Sequence, residues 1–220
     1  FLGEGEYELG SIDHVLVNTP NITIKGAGPD TTLIKLDDYK KGFWITADHV
    51  TLSDLSIEGG NNGIWIHGTH TQPFSAINIQ NIRISNSSNG SGWVVANTGI
   101  TAHHVSQLTI DNVEIEGISG FEGIIAGIYG EFIEHADIQN CSITNIIYRK
   151  SPQEHSHRYG IFLWNASGST HVSNNIVSEF STSDLDGYYN EVFGGDATGI
   201  YLEGTGSMEV TNNQISNIAG

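Results

Sequence analysis

One stretch of the chain gathers the groups that acid–base chemistry on a sugar acid would need. It runs from Tyr148 to Tyr159 and holds Arg149, Lys150, His155, His157, Arg158 and Tyr159. It carries three of the eight Lys/Arg and two of the ten His, in a chain of net charge −17. β-Elimination from a uronic acid has three requirements. The carboxylate must be neutralised by Arg, Lys or a metal, so that the C5 proton becomes acidic. A base must take that proton, and an acid must protonate the leaving oxygen. C5-epimerisation uses the same groups, with reprotonation on the opposite face. These six residues are therefore the candidate catalytic set, and an anionic polysaccharide is the candidate partner. The competing explanation is that the cations pair with acidic neighbours.

Those neighbours lie in a second long segment, 181–196, which carries Asp184, Asp186, Glu191 and Asp196. Oxygen-only ligands of this kind suit Ca²⁺, a hard cation. Asp184-Leu185-Asp186-Gly187 resembles part of a calcium loop but lacks the EF-hand spacing. Solvated surface acids are the alternative.

Both segments interrupt a repeat, and the repeat must position them. A unit of the form apolar-x-Asn or apolar-x-Asn-x followed by a second apolar alternation recurs at Asn81, Asn112, Asn140, Asn174 and Asn212, with Asp54 in the same place. The spacings run from 27 to 38 residues, with β-branched alternation and no helical period. That argues a solenoid of short strands, a parallel β-helix. Asn suits a sharp corner because it tolerates the left-handed backbone region. Coils stacked ~4.8 Å apart let corner Asn side chains form a hydrogen-bonded ladder. These Asn are structural and none is a site.

A second marker, Gly-Ile, keeps phase with the first at 63–64, 99–100, 127–128, 160–161 and 199–200. It opens the strand that follows each connection. Alternation sends Ile64 and Ile66, Ile100 and Ala102, Ile128, Ile161 and Leu163, and Ile200 and Leu202 inward. The outward column beside Gly-Ile is then Trp65, Thr101, Tyr129, Phe162 and Tyr201. The next outward column is His67, His103, Glu131, Trp164 and Glu203. Aromatic faces stack on sugar rings, and they also stabilise a sheet as a ladder. Both uses stay open. Trp65, His67, His103, Tyr129, Glu131, Phe162, Trp164, Tyr201 and Glu203 are the candidate substrate-binding residues. Glu131 and Glu203, two coils apart or ~9.6 Å, stand at the upper edge for the carboxylate pair of an inverting glycosidase. His67, His103 and Glu131 are ligand types for a transition metal, but ligands spread along a flat sheet converge poorly. The two long connections, one coil apart at the same corner, should pack side by side over this face.

Composition fits a solenoid, with 27 Gly and 4 Pro. The single cysteine, Cys141, falls at an inward position and cannot form a disulfide within the chain. No apolar run approaches the ~20 residues of a membrane span. The acidity argues against nucleic acid and anionic membrane surfaces, and fits an exported, extracellular or cell-surface protein or a Ca²⁺ binder. The sequons at Asn21, Asn86, Asn89 and Asn165 matter only in a glycosylating host. No signal peptide is visible, but the chain opens at Phe1 and stops inside a coil. Both ends look cut from a longer protein, so the missing signal is uninformative. We expect one β-helix domain over 1–220 with six to seven coils. The first spans roughly 1–42 and the second 43–68. The next four end near 104, 132, 167 and 206.

The opening Gly5-Glu6-Tyr7, with Asn21-Ile22-Thr23-Ile24-Lys25-Gly26-Ala27-Gly28-Pro29-Asp30-Thr31-Thr32-Leu33-Ile34, resembles the entry coils of the pectin-lyase-like superfamily. That group includes polysaccharide lyases, hydrolases, C5-epimerases and tailspikes. The resemblance implies a right-handed β-helix, and places sites on the outer face of the strand after the long connection. It does not imply one reaction. The polygalacturonase patterns Asn-Thr-Asp, Gly-Asp-Asp and Arg-Ile-Lys are missing, and so is the Asp-Pro-His of alginate epimerases. Gly26 to Gly28 is not a phosphate loop, lacking Gly-Lys-Ser/Thr and a following helix. Polysaccharide lyase or uronate epimerase is the leading expectation. A glycoside hydrolase using Asp/Glu, and a non-catalytic adhesin or glycan-binding solenoid, are the alternatives.

Overall fold

The computed structural model describes residues 1–37, 39–87, 95–120, 123–149, 156–183 and 196–218. Its 19 strands pair in parallel between successive coils, and none of the described residues is helical. Three sheets run along the stack. The one that begins each coil's outer face contains Lys41–Ile45, Asn62–His67, the first part of Val95–Glu116, the first part of Gly123–Gln139, Ser156–Ala166 and Ala197–Gly204. The second ends in Ser169–Ser173 and Ser207–Thr211. The third ends in Ser142–Thr144, Ile176–Ser183 and Gln214–Ile218.

The core is a cylinder of inward columns. Ile64, Ile100, Ile128, Ile161 and Ile200 stand in register on the first sheet. The first four are fully buried. The glycine before each is set by close approach. A Cβ on Gly127 would lie 2.5 Å from Ile143 Cγ2 and 2.8 Å from the Gly160 carbonyl oxygen. At Gly160 it would meet Val177 at 2.3 Å and the Gly199 carbonyl at 2.5 Å. No side chain fits where the first sheet crosses the third.

The second and third sheets meet at the Asn corner. Asp54, Asn81, Asn112, Asn140, Asn174 and Asn212 all have φ between 50° and 58°. The expected ladder forms in part. Asn81 Nδ2 donates to Asp54 Oδ1 at 2.5 Å, and Asn112 Nδ2 to Asn81 Oδ1 at 3.1 Å. Asn140 then steps sideways and donates to Asp111 at 2.8 Å. From there a second, internal ladder takes over. Asn175 is fully buried, accepts from the Cys141 amide at 2.8 Å and donates to Asn213 Oδ1 at 3.0 Å. Cys141 is buried in the same column, and burial pushes its thiol up to about 12.

Candidate functional site

Register assembles the outer face of the first sheet. Leu16, Trp44, Trp65, Thr101, Tyr129, Phe162 and Tyr201 form one continuous outward column. Its rings stack in two groups. Trp44 and Trp65 lie 5.8 Å apart at 18°. Tyr129 and Phe162 lie 5.3 Å apart at 4°, and Phe162 and Tyr201 5.0 Å apart at 9°. Thr101 separates the groups and is 2.6 Å from the Thr98 hydroxyl, which accepts from Asn62.

The rings do not share one role. Tyr129 and Phe162 are buried and form a small apolar cluster with Ala126 on the outside of the sheet, with Ile124 and Tyr159 packed against it. They serve as a structural ladder. Tyr201 and Trp164 are open, at 36% and 39% exposure. The outward rings therefore differ in exposure, closed at Tyr129 and Phe162 and open at Trp164 and Tyr201.

The second column also forms. His67, His103, Glu131 and Trp164 are in register. Glu131 Oε2 accepts from the Tyr129 hydroxyl at 3.2 Å and lies 3.2 Å from His103 Nδ1. Burial lowers the His103 pKa, against the opposing pull of Glu131. Burial and then Glu131 raise that of Tyr129. The pairing slips after Leu163, so Glu203 is not directly above Trp164. It still joins the column, because Trp164 Nε1 donates to Glu203 Oε1 at 3.2 Å and the Tyr201 hydroxyl donates to Glu203 Oε2. That second bond raises the Tyr201 pKa. His67 packs edge-on to His103 at 5.6 Å. Among the described residues, no group of three His, Cys, Asp or Glu is close enough to hold a metal ion.

Of the six residues of the basic connection, Arg149, His157, Arg158 and Tyr159 are described, and they do not converge on one point. Lys150 and His155 lie outside the described residues, as do Asp184, Asp186 and Glu191 of the acidic connection. His157 is exposed, with Nδ1 3.6 Å from Asp196 Oδ2. Tyr159 faces outward, 4.5 Å from the Phe162 ring and 6.0 Å from Tyr201. Burial, then Asp196, raises its pKa. Arg158 is placed apart from these two. It points inside the coil, fully buried, and its Nη1 donates to the Ser181 carbonyl at 2.9 Å. Burial lowers its pKa. Strict alternation fails here because Ile125 and Ile128, and likewise Arg158 and Ile161, all face in, three residues apart across the glycine corner. Arg149 lies in the strand Ile147–Arg149, which pairs with Ser119–Gly120 and with the end of Ile176–Ser183 on the third-sheet side.

Trp44 and Lys41 were missed. The Lys41 ammonium sits 3.3 Å from the Trp65 ring centroid and 5.4 Å from that of Trp44. The signal was present: Gly42-Phe43-Trp44-Ile45 is the Gly-Ile unit with Phe for Ile. A Cβ on Gly42 would strike the Gly63 carbonyl at 2.3 Å, as at the other corner glycines.

The family model described as "Right handed beta helix region" matches residues 21–215, and the chain belongs to that family. The fold is the pectin-lyase-like right-handed parallel β-helix that the entry coil implied. No curated protein matches the chain. Among solved structures, the chain is similar to the catalytic domain of a GH87 alpha-1,3-glucanase in complex with tetrasaccharides. Identity is 13% and the TM-score 0.22, over 99% of this chain and 61% of that one. It is also similar to the Streptococcus pneumoniae surface protein and adhesin PfbA. Identity is 13% and the TM-score 0.20, over 100% of this chain and 89% of that one.

Proposed function

We propose that this β-helix is an extracellular or cell-surface carbohydrate-binding protein. It holds a glycan against the outer face of its first sheet, with Trp164 as the main contact. The observation that carries this reading is the setting of Trp164. Its indole is open to solvent, in register with Glu131 and hydrogen-bonded to Glu203. A flat apolar ring flanked by fixed acceptors suits a pyranose, whose C–H face stacks while its hydroxyls donate to carboxylates. Tyr201 and Tyr159 extend the aromatic floor toward His157 and Asp196. Affinity electrophoresis on a panel of soluble polysaccharides tests the reading. Wild type should be retarded on at least one, and Trp164→Ala should migrate freely on it. Equal retardation of the two overturns it.

A second reading, glycoside hydrolysis, is favoured by one observation. Glu131 and Glu203 flank Trp164 one coil on either side, ~9.6 Å apart by strand spacing, close to the range of an inverting carboxylate pair. Reducing-sugar release that Glu131→Gln and Glu203→Gln each abolish would establish it. Elimination or epimerisation keeps His157 and Tyr159 as base and acid, but loses Arg158 as the group that neutralises a uronate. Ca²⁺ at Asp184, Asp186, Glu191 and Asp196 is a proposal resting on the acidity of that connection, and calorimetric titration with the ion tests it.

A further inference from the structure

We propose that Lys41, seated over Trp65 beside Trp44, forms an anion subsite of the outer face that takes a sugar-borne carboxylate or sulfate. The inference extends the glycan-binding reading to a second station, three coils and so about 14 Å from Phe162 in the same column.

The first observation is a charge without a counter-charge. The chain carries −17, yet Lys41 makes no ion pair and its ammonium no hydrogen bond among the described residues. Lys25, Lys35, Lys40 and Arg83 each meet a carboxylate at 3.5 Å or less. In a protein with 25 Asp and Glu, a lysine that meets none of the described ones needs a reason. A ring face attracts the cation but uses none of its three donors as a conventional hydrogen bond.

The second observation is independent. The indole nitrogens of Trp44 and Trp65 are shielded from solvent and have no acceptor among the described residues. Buried donors are nearly always satisfied, so two unmet ones in register are donors that a small tilt of either indole would offer to an acceptor arriving beside Lys41. His14, 4.7 Å from Trp44, and His67, 6.0 Å from Trp65, add further nitrogen at the rim. The patch is rich in donors where the opposite end of the outer face, at Glu203, is rich in acceptors. Burial also lowers the Lys41 pKa, so an incoming anion would restore stabilisation that water no longer gives its ammonium.

Calorimetric titration of the intact chain tests this with three probes: tri-galacturonate, its uncharged methyl ester and a sulfated oligosaccharide of similar length. The acid or the sulfated probe should bind about tenfold more tightly than the ester at low salt, and the advantage should shrink at 1 M salt. Lys41→Met keeps the aliphatic stem on Trp65 and removes the charge; it should erase the preference, and Lys41→Arg should restore it. Preference for the acid identifies a carboxylate ligand, and preference for the sulfated probe a sulfate. If neither anion is preferred over the ester, or if Lys41→Met keeps the preference, the inference is overturned. Neutral glycans bound through Trp164 with no Lys41-dependent preference would sink this inference alone. Loss of all glycan binding would sink both.

Discussion

The two ends of the first sheet's outer face behave differently. Trp44 and Trp65 stack with an ammonium over the ring face, and their N–H groups have no acceptor among the described residues. Trp164 and Tyr201, three to four coils on, have their N–H and O–H groups held by one carboxylate and their rings open. The backbone is the same at both ends: glycine corner, inward Ile or Phe, outward ring, inward apolar residue. What differs is the polar partner, cationic at one end and anionic at the other. A solenoid repeats its frame and varies its outer columns, so recognition is written in the variation and stability in the repeat.

Four changes would sharpen or break that contrast. The largest effect belongs to the frame. Ile161→Ala, facing inward between Tyr159 and Phe162 on the site strand, should cost about 3 kcal/mol of stability in denaturant unfolding. A neutral result would mean the inner column does not set the frame. Trp164→Ala should weaken glycan binding by about 2 kcal/mol, roughly thirtyfold, with little change in melting temperature. If stability falls and affinity does not, Trp164 is a ladder rung like Tyr129. Glu203→Gln comes next. It keeps an acceptor oxygen for the Trp164 N–H, and should weaken binding by only a few-fold, about 0.5–1 kcal/mol. A loss as large as that of Trp164→Ala would mean the charge itself does chemistry or binds the ligand.

The smallest effect is a pH dependence. His103 has a folded-state pKa below its unfolded value near 6.5. Between those values the unfolded chain binds more protons, so stability is full above the unfolded value and falls as pH drops through it. Wild type should lose a few degrees or less of melting temperature between about pH 7.5 and 5.5 beyond what His103→Asn loses. A larger loss in the variant would reverse the sign and imply that Glu131 holds the imidazolium.

The sequence made much of this frame legible because strands alternate and coils stack in register. Both outward columns could be written down from Gly-Ile and parity alone, and they pair as written up to Trp164. Three things were not legible. Arg158 is buried because the chain turns through the glycine corner in a three-residue step, which resets parity for everything before Gly160. Tyr129 and Phe162 are covered although parity sends them outward; alternation gives the side of the sheet and not what lies over it. Lys41 and Trp44 were hidden by a Phe in the place of the marker Ile. The side step from Asn112 to Asp111 at the corner has a similar origin. Asp111 is itself an acceptor within reach of Asn140, and a repeat pattern does not weigh such local competition.

The most direct test uses the indole N–H signals of a 15N-labelled sample, one for each of the four Trp. With Trp164→Phe, Trp44→Phe and Trp65→Phe for assignment, the spectrum is followed first with the best-bound neutral oligosaccharide and then with tri-galacturonate. The Trp164 signal should move with the neutral sugar, and those of Trp44 and Trp65 only with the acid. A bound neutral sugar that leaves Trp164 unmoved would contradict the account.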